Sequence, residues 1–392
     1  MPVQVFNSMQ NNAPELNGNS ASLITVLDAV LVNGYNTLSV SSITRSGSTA
    51  TVTTSTAHDF VTNDSVAISG ATETEYNGKF RITRTGSTTF TYTVTGTPST
   101  PATGTITCKR ASAGFEKKYT GTEKAVYRST RSDSNKHYLR VVDDSTGGAS
   151  YKSALCYSWE SMDDVDTGTV GAPTPNGRHW PKSLTSDSTA RWWCIVTDGR
   201  LVYYFVGTDV GKTDASVSNT AQCCWGDFKS FKAGDIYNVI HCGTDAYTNS
   251  SIKQDLALSV MGTSDSFYAA KYINVARAFT AAASVVNNVY ILACRSFQVF
   301  GSSSNMVPFP NLADAGFYMA PSVLVEPTYQ TFRGLLPGVF EPYHGRCFPN
   351  NTVFDGVSGM DDRQFLMLYG QHATFIACFV LDITGNASGE WW

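Results

Sequence analysis

The chain has 392 residues, 15% of them charged and 12% aromatic, with a formal net charge of −4. That balance supplies no cationic field for a phosphate backbone, and no run approaches the roughly 18–20 apolar residues that cross a bilayer as a helix, so neither nucleic acid nor membrane is an expected partner. Abundant Ser, Thr, Gly and Asn beside β-branched and aromatic residues favour a turn-rich, mainly β protein, and the length accommodates two or three domains.

Residues 1–19 are polar and Asn-rich and read as an extended arm; without a basic n-region or an apolar h-region they are no secretory signal, and synthesis in a cytoplasm is expected. In SASLITVLDAVLVNG the apolar residues at 23, 26, 27, 30 and 31 follow one helix face, with Ser20 or Ser22 as N-cap and Gly34 as stop. This is the one short N-terminal helix expected with a clear period; SFYAAKYINVARAF (266–279) is the other stretch with a helical repeat.

Composition changes abruptly at residue 39. TLSVSSITR, TATVTTS, DSVAISG, GKFRITRT and TFTYTVTG are short strands separated by Gly, Asn and Asp turns, and PSTPATGTITCKR supplies a final strand, so a small β-sandwich or barrel is expected over 39–109. The organisation is therefore an arm and helix over 1–38, a β-module over 39–109 and a larger β-rich assembly domain over 110–392.

Within the larger region, RWWCIVTDGRLVYYFV is a hairpin about Asp198-Gly199, a pair that tolerates the positive φ of a tight primed turn. FLMLYGQHATFIACFVLDIT repeats the pattern about Gly370-Gln371, NNVYILACRSFQVFG supplies further strands, and MVPFPNLADAG and RGLLPGVFEPYHGR read as long ordered loops. Of the nine cysteines, Cys194, Cys294 and Cys378 sit inside apolar runs, where a reduced thiol acts as a small hydrophobe; adjacent Cys223 and Cys224 have no such obvious role.

Several motifs carry chemistry on paper. VDTGTV (165–170) resembles the active-site turn of aspartic proteases, but that chemistry needs two carboxylates sharing a proton and there is one copy, so a turn-forming Asp166 leads and a single-Asp dimeric protease is the lesser alternative. Asp163, Asp164 and Asp166 gather as in a calcium loop yet lack the distal bidentate Glu, and a basic neighbour would relieve their repulsion. His241-Cys242 and His344-x-x-Cys347 are the only near pairs for zinc, and no Cys-x-x-Cys accompanies them. His58 reads as capping a turn, and Asp198 and Arg200 of TDGRL as residues of a hairpin tip. No nucleophile elbow, Walker loop or dinucleotide fingerprint is present, so no catalytic, metal or cofactor-binding residue is assigned.

Aromatic pairs are the remaining binding candidates. Strand alternation is expected to send one of Trp192/Trp193 and one of Tyr203/Tyr204 outward, where the pair stacks on a sugar ring or packs against another layer or subunit. Residues 1–20 and the C-terminal GEWW, with Trp391 and Trp392, are expected to contact neighbouring subunits, because a terminal Trp pair is otherwise an exposed apolar liability.

The ordered series His58-Asp59-Phe60, Asp64-Ser-Val-Ala-Ile-Ser-Gly70, Tyr76-Asn-Gly78-Lys-Phe, Thr89-Phe-Thr-Tyr92 and TPSTPATGTIT is similar to a small Ig-like insert of tailed-bacteriophage structural proteins, with Ala57 and Asp59 where the corner often has glycines. EKKYTGTEKAVYRS, HYLRVVDD, YSWESMDDVDTGT, HWPKS, RWWCIVTDGRLVYYFV, WGDFKSFKAGD and RGLLPGVFEPYH occur in an order that resembles a family of phage virion proteins. The resemblance implies a non-enzymatic subunit of the tail, baseplate, neck or head surface, made in the host cytoplasm, located in the virion, and partnered by itself and other virion proteins. Host-surface glycan binding is the alternative.

Overall fold

A computed structural model describes residues 2–144, 152–172, 177–213, 220–243, 273–282, 290–292, 309–344, 347–372, 375–386 and 389–391. Among the described residues the protein is mainly β, with a single short α-helix. Cys294 and Trp392 lie outside the described residues, as does most of the stretch 266–279; its described part contains the strand Ile273–Val275 rather than a helix.

The body is three sheets deep. A central six-stranded sheet runs in the order Gln4–Asn7, Arg191–Thr197, Leu201–Gly211, Thr220–Asp227, Val239–Cys242, Ile273–Val275, antiparallel throughout. One face packs on a sheet built from residues 115–181, through Trp193, Ile195, Tyr204, Cys223 and Trp225 against Phe115, Tyr127, Leu139, Cys156 and Trp180. The other packs on a sheet of the C-terminal region, through Trp192, Cys194, Tyr203, Cys224 and Cys242 against Leu324, Leu336, Leu368 and Phe379. Neighbouring residues of a strand therefore serve opposite cores, which is why RWWCIV, LVYYFV and QCCW are apolar without alternation. Cys223 and Cys224 take their place in this pattern, one small hydrophobe per layer, and all eight described cysteines are free.

The polar arm is no arm. Gln4–Asn7 forms the edge strand beside Arg191–Thr197, Leu16 bridges Arg191, and Phe6 and Leu16 are buried. The Trp193 indole N–H donates to the Pro14 carbonyl at 3.1 Å. Much of the segment 1–20 is thus seated on the chain's own central sheet, with Met9, Asn11, Asn12, Glu15 and Asn19 exposed.

The helix spans Ser22–Leu27 and continues as a wider turn over Asp28–Asn33, ending at Gly34 as expected. Its apolar face enters the first core. Neither Ser20 nor Ser22 caps it: Ala21 holds the cap position, and the Asp143 carboxylate accepts the N–H groups of Leu23 (2.8 Å) and Ile24 (3.3 Å). The other Asp143 oxygen pairs with Lys182, whose ammonium also donates to the Asn19 carbonyl at 2.6 Å; both charged side chains are fully buried. Burial raises the Asp143 carboxyl and lowers the Lys182 ammonium, and their mutual attraction works against both shifts.

Where the chain leaves the helix it enters the small β-module. The 12-residue strand Tyr35–Ser46 is bulged between Val40 and Ser42; its first part pairs with Gly104–Arg110 and its second with Thr49–Thr54, so one seven-stranded sheet folds round a single core of Ile43, Val52, Phe60, Val66, Tyr76 and Phe90. Its strands start at Tyr35 and finish at Arg110, a few residues wider than 39–109. Start and finish run side by side: a Cβ on Gly34, whose φ is +72°, would meet the Arg110 carbonyl at 2.3 Å. Buried Arg110 sits over the Phe60 ring and pairs with Asp64 (2.7 Å), at the strand start, and with Asp59 (3.4 Å) of the corner. The Asn77 side chain accepts from Ala71 N–H (3.0 Å) and donates to its carbonyl (2.7 Å), standing in for a strand partner. His58 caps nothing with its ring, which stacks on Phe60 at 5.2 Å and meets Phe90 edge-on at 5.5 Å; burial lowers its pKa.

Two turns differ from expectation. In the 191–211 hairpin Thr197 pairs with Val202, so the loop is residues 198–201; only Gly199 takes a positive φ, and the Asp198 carboxylate closes the loop by accepting the N–H groups of Arg200 and Leu201. In the last hairpin Gly370 and Gln371 are strand residues paired with Ala377 and Ile376, because His372 still pairs with Phe375.

Removing one partner of the buried pair tests its place in the fold. Asp143→Ala is expected to cost about 3–5 kcal/mol in urea unfolding, well beyond the ~1 kcal/mol of a lost cap, because it strands the Lys182 ammonium. Asp143→Leu with Lys182→Met should regain much of that loss; equal loss in single and double variants would show that burial of Lys182 is not the penalty.

Candidate functional site

The four aromatic candidates are all inside. Trp192, Trp193, Tyr203 and Tyr204 are 0–1% exposed. The Tyr204 ring stacks on Trp180 at 5.4 Å and its hydroxyl donates to the Pro181 carbonyl (2.8 Å); the Tyr203 hydroxyl donates to the Pro337 carbonyl (2.7 Å). The expected outward member of each pair does not exist, because the central sheet is covered on both faces. Trp391 is half-buried against the same chain: its ring lies 5.4 Å from Tyr203 and its N–H donates to the Asp382 carbonyl at 2.8 Å.

The acidic motif is a hairpin tip between Ser153–Met162 and Gly168–Ala172. Asp164 accepts the N–H groups of Asp166 and Thr167, both at 2.7 Å, in an Asx turn. Asp166 pairs with Lys124 at 2.7 Å and with Arg140, and those bonds hold its carboxyl below the usual range, opposite to what a shared proton requires. Among the described residues no three His, Cys, Asp or Glu side chains converge as a metal-binding group. His241 lies in a central strand and its ring centroid is 6.4 Å from that of Trp180. His344 lies among Phe309, Phe317 and Tyr318.

A different polar cluster gathers at one end of the central sheet. Asp198 and Arg200 come from the 198–201 loop, Arg131 and Asp133 from the segment after strand Lys124–Ser129, Asp227 from the end of Thr220–Asp227, and Glu390 from the C-terminal segment. Arg131 grips both oxygens of Asp133 (2.8 and 2.7 Å) and reaches Glu390 (2.9 Å); Arg200 joins Asp133 (3.0 Å) to Asp198 (3.2 Å). Ser129 adds a hydroxyl bond to the Gly199 carbonyl at 2.6 Å. Asp133, held by Arg131, is lowered to about 2. Asp227 is 4% exposed, accepts the Asn135 N–H at 2.9 Å, and is pushed by burial up to about 7.

Two carboxyls forced apart in this way are a pattern that catalytic sites use. Here the raised one is enclosed, and the arginines are spent on carboxylates within the cluster, so the arrangement acts as a clasp joining hairpin loop, outer sheet and C-terminal segment. The sequence displayed Asp198 and Arg200 as a hairpin tip, which they are; Arg131 and Asp133 are a local pair two residues apart, but their bonds to Glu390 and Arg200, and that of Asp227 to Asn135, span 67 to 259 residues and carried no local signal. No protein-family model and no curated protein matches the sequence.

The Asp227 carboxyl gives the clasp a pH signature. Its folded pKa lies above its ordinary value of 3.8, so between about pH 4 and pH 7 the folded chain keeps a proton that the unfolded chain has released. Stability from this group is full below that window, falls as pH rises through it and is flat above. Asp227→Asn should remove the slope and raise the urea midpoint relative to the parent at pH 8 but not at pH 4; parallel profiles for the two chains would refute the assignment.

Proposed function

We propose that the chain is a non-enzymatic structural subunit of a tailed-phage virion, working as a homo-oligomer in the tail, baseplate, neck or on the head surface. The observation that carries this reading is the use made of the residues behind the Ig-like resemblance: Asp59 and Asp64 hold Arg110, Phe60 and Tyr76 fill the module core, and Asn77 closes the edge at Ala71. These motif residues hold the module together, and Asp59 and Lys79 also tie it to Asn11 and Ser112 on either side, as in a building unit. In support, the body commits its aromatic pairs to cores and the acids at the end of its central sheet to a clasp.

Glycan recognition was expected through the Ig-like module or through outward Trp and Tyr side chains of the 191–206 hairpin; the hairpin aromatics are buried, and Tyr76 and Tyr92 of the module lie in its core. It is not carried forward as a second reading.

Quantitative mass spectrometry of purified particles from the phage that encodes the chain tests the proposal. Several copies per particle, co-purifying through a density gradient, are expected. Abundance in the infected-cell lysate with absence from the particle would overturn it.

A further inference from the structure

We infer that the end of the body formed by residues 228–238, 276–282 and 327–333 is the surface on which a second copy of this chain docks. The inference deepens the assembly reading above and rests on it for the nature of the occupant.

Five large apolar side chains stand out of these three segments: Phe231 (56% exposed), Ile236 (60%), Phe279 (36%), Tyr329 (42%) and Phe332 (59%). Local contacts join the segments that bear them. Phe231 N–H donates to the Arg333 carbonyl at 3.1 Å, next to Phe332; the Lys232 ammonium donates to the Phe279 carbonyl at 2.7 Å; and the Phe279 ring meets Tyr329 edge-on at 4.9 Å. Aromatic side chains of about 150–250 Å² each, roughly half exposed, place on the order of 500 Å² of apolar surface at this end. That equals the largest apolar patch of a typical monomer, which is often functional, and it is a large part of the ~800 Å² each partner contributes to a stable interface.

The segments are fixed from below. Arg333, 1% exposed, pairs with Asp235 and lies 3.5 Å from Glu326; Glu326 accepts the Phe279 N–H at 3.0 Å, and the Ser230 hydroxyl bridges Arg333 and Asp235, both at 2.7 Å. At the rim Arg277 binds both oxygens of Glu160 (2.6 and 2.7 Å) across the Tyr237 ring. Ordering loops round buried charges is costly, and it reduces the entropy that a docking partner has to remove.

The same network decides the occupant. Arg333, Asp235 and Glu326 turn their charge inward, so the patch presents an apolar face edged by the exposed Lys229 and Lys232, the latter held by the Phe279 carbonyl. Two edge lysines disfavour a basic partner, and the apolar area between them, a large part of what one side of a stable dimer buries, is satisfied when the same surface meets itself in a second copy.

The test is sedimentation of the full chain over a concentration series, with Ile236→Asp/Phe332→Asp as the patch variant and Leu312→Asp, at an 88% exposed position on another loop, as the control. The parent and control should self-associate alike. The patch variant should weaken association at least about 30-fold, the loss of one hot-spot side chain, with an unchanged urea midpoint. Hydrogen exchange should show concentration-dependent protection of amides at 229–237 and 327–333 in the parent. Unchanged association of the patch variant would overturn the docking surface and leave assembly standing. A parent that stays monomeric at its solubility limit, or that binds neutral phosphatidylcholine vesicles through the patch instead, would overturn the inference while particle composition decides the virion reading separately.

Discussion

The Asp143–Lys182 pair is the constraint on which the arrangement of the body depends. A helix of barely three turns does not hold together on propensity alone. Here its first N–H groups are satisfied by a carboxylate from the end of strand Tyr138–Val142, and that carboxylate is neutralised by a lysine following strand Arg178–Pro181. The Asn19 carbonyl completes the ammonium's coordination and so fixes the approach to the helix. Helix, outer sheet and the lead into the central sheet are thereby locked to one another by groups that have no water to fall back on. With the helix seated, the module must leave and rejoin the body at one place, which is where Gly34 and the Arg110 carbonyl crowd together.

The second organising fact is a central sheet with two covered faces. A sheet with one wet face alternates polar and apolar residues; a sheet between two others has no polar face to show, and its strands become continuous apolar runs. Trp192 with Trp193, Tyr203 with Tyr204 and Cys223 with Cys224 each divide between the two cores. Three of the four aromatic side chains bond their polar atom to a carbonyl of a flanking segment, Tyr203 to Pro337 on one side and Tyr204 to Pro181 and Trp193 to Pro14 on the other. Pairs suited to stacking on a sugar are in this setting the bolts between sheets.

Much of this was legible in the sequence and some was not, for physical reasons. Strand-and-turn chemistry is local, so the β-module and the 191–211 hairpin could be read to within a few residues; the helix face and Gly34 stop followed from the 3.6 period. The cap could not be read, because it is supplied from 120 positions away by Asp143, while Ser20 and Ser22 offered a local solution the fold did not use. The outward Trp/Tyr pair failed on an assumption about layers: alternation predicts which residues share a face, not whether that face meets water. The polar composition of residues 1–19 hid Phe6 and Leu16, two side chains that suffice to seat the segment on the central sheet.

The N-terminal strand and the C-terminal segment meet at the clasp end of the central sheet, and this has a structural consequence. Val3 N–H donates to the Gly389 carbonyl at 2.7 Å, Glu390 reaches Arg131, and Arg81 of the small module donates to the Thr384 carbonyl at 3.3 Å. The module is thus tied to the body through the C-terminal segment as well as through the covalent connections beside Gly34. Phe231 and its neighbours follow Asp227 directly, on the loop leaving the same end of the same sheet. A subunit docked on that apolar surface would bear on the rigid end of the central sheet, a few residues from the clasp, and a load applied there would pass along paired strands into both cores.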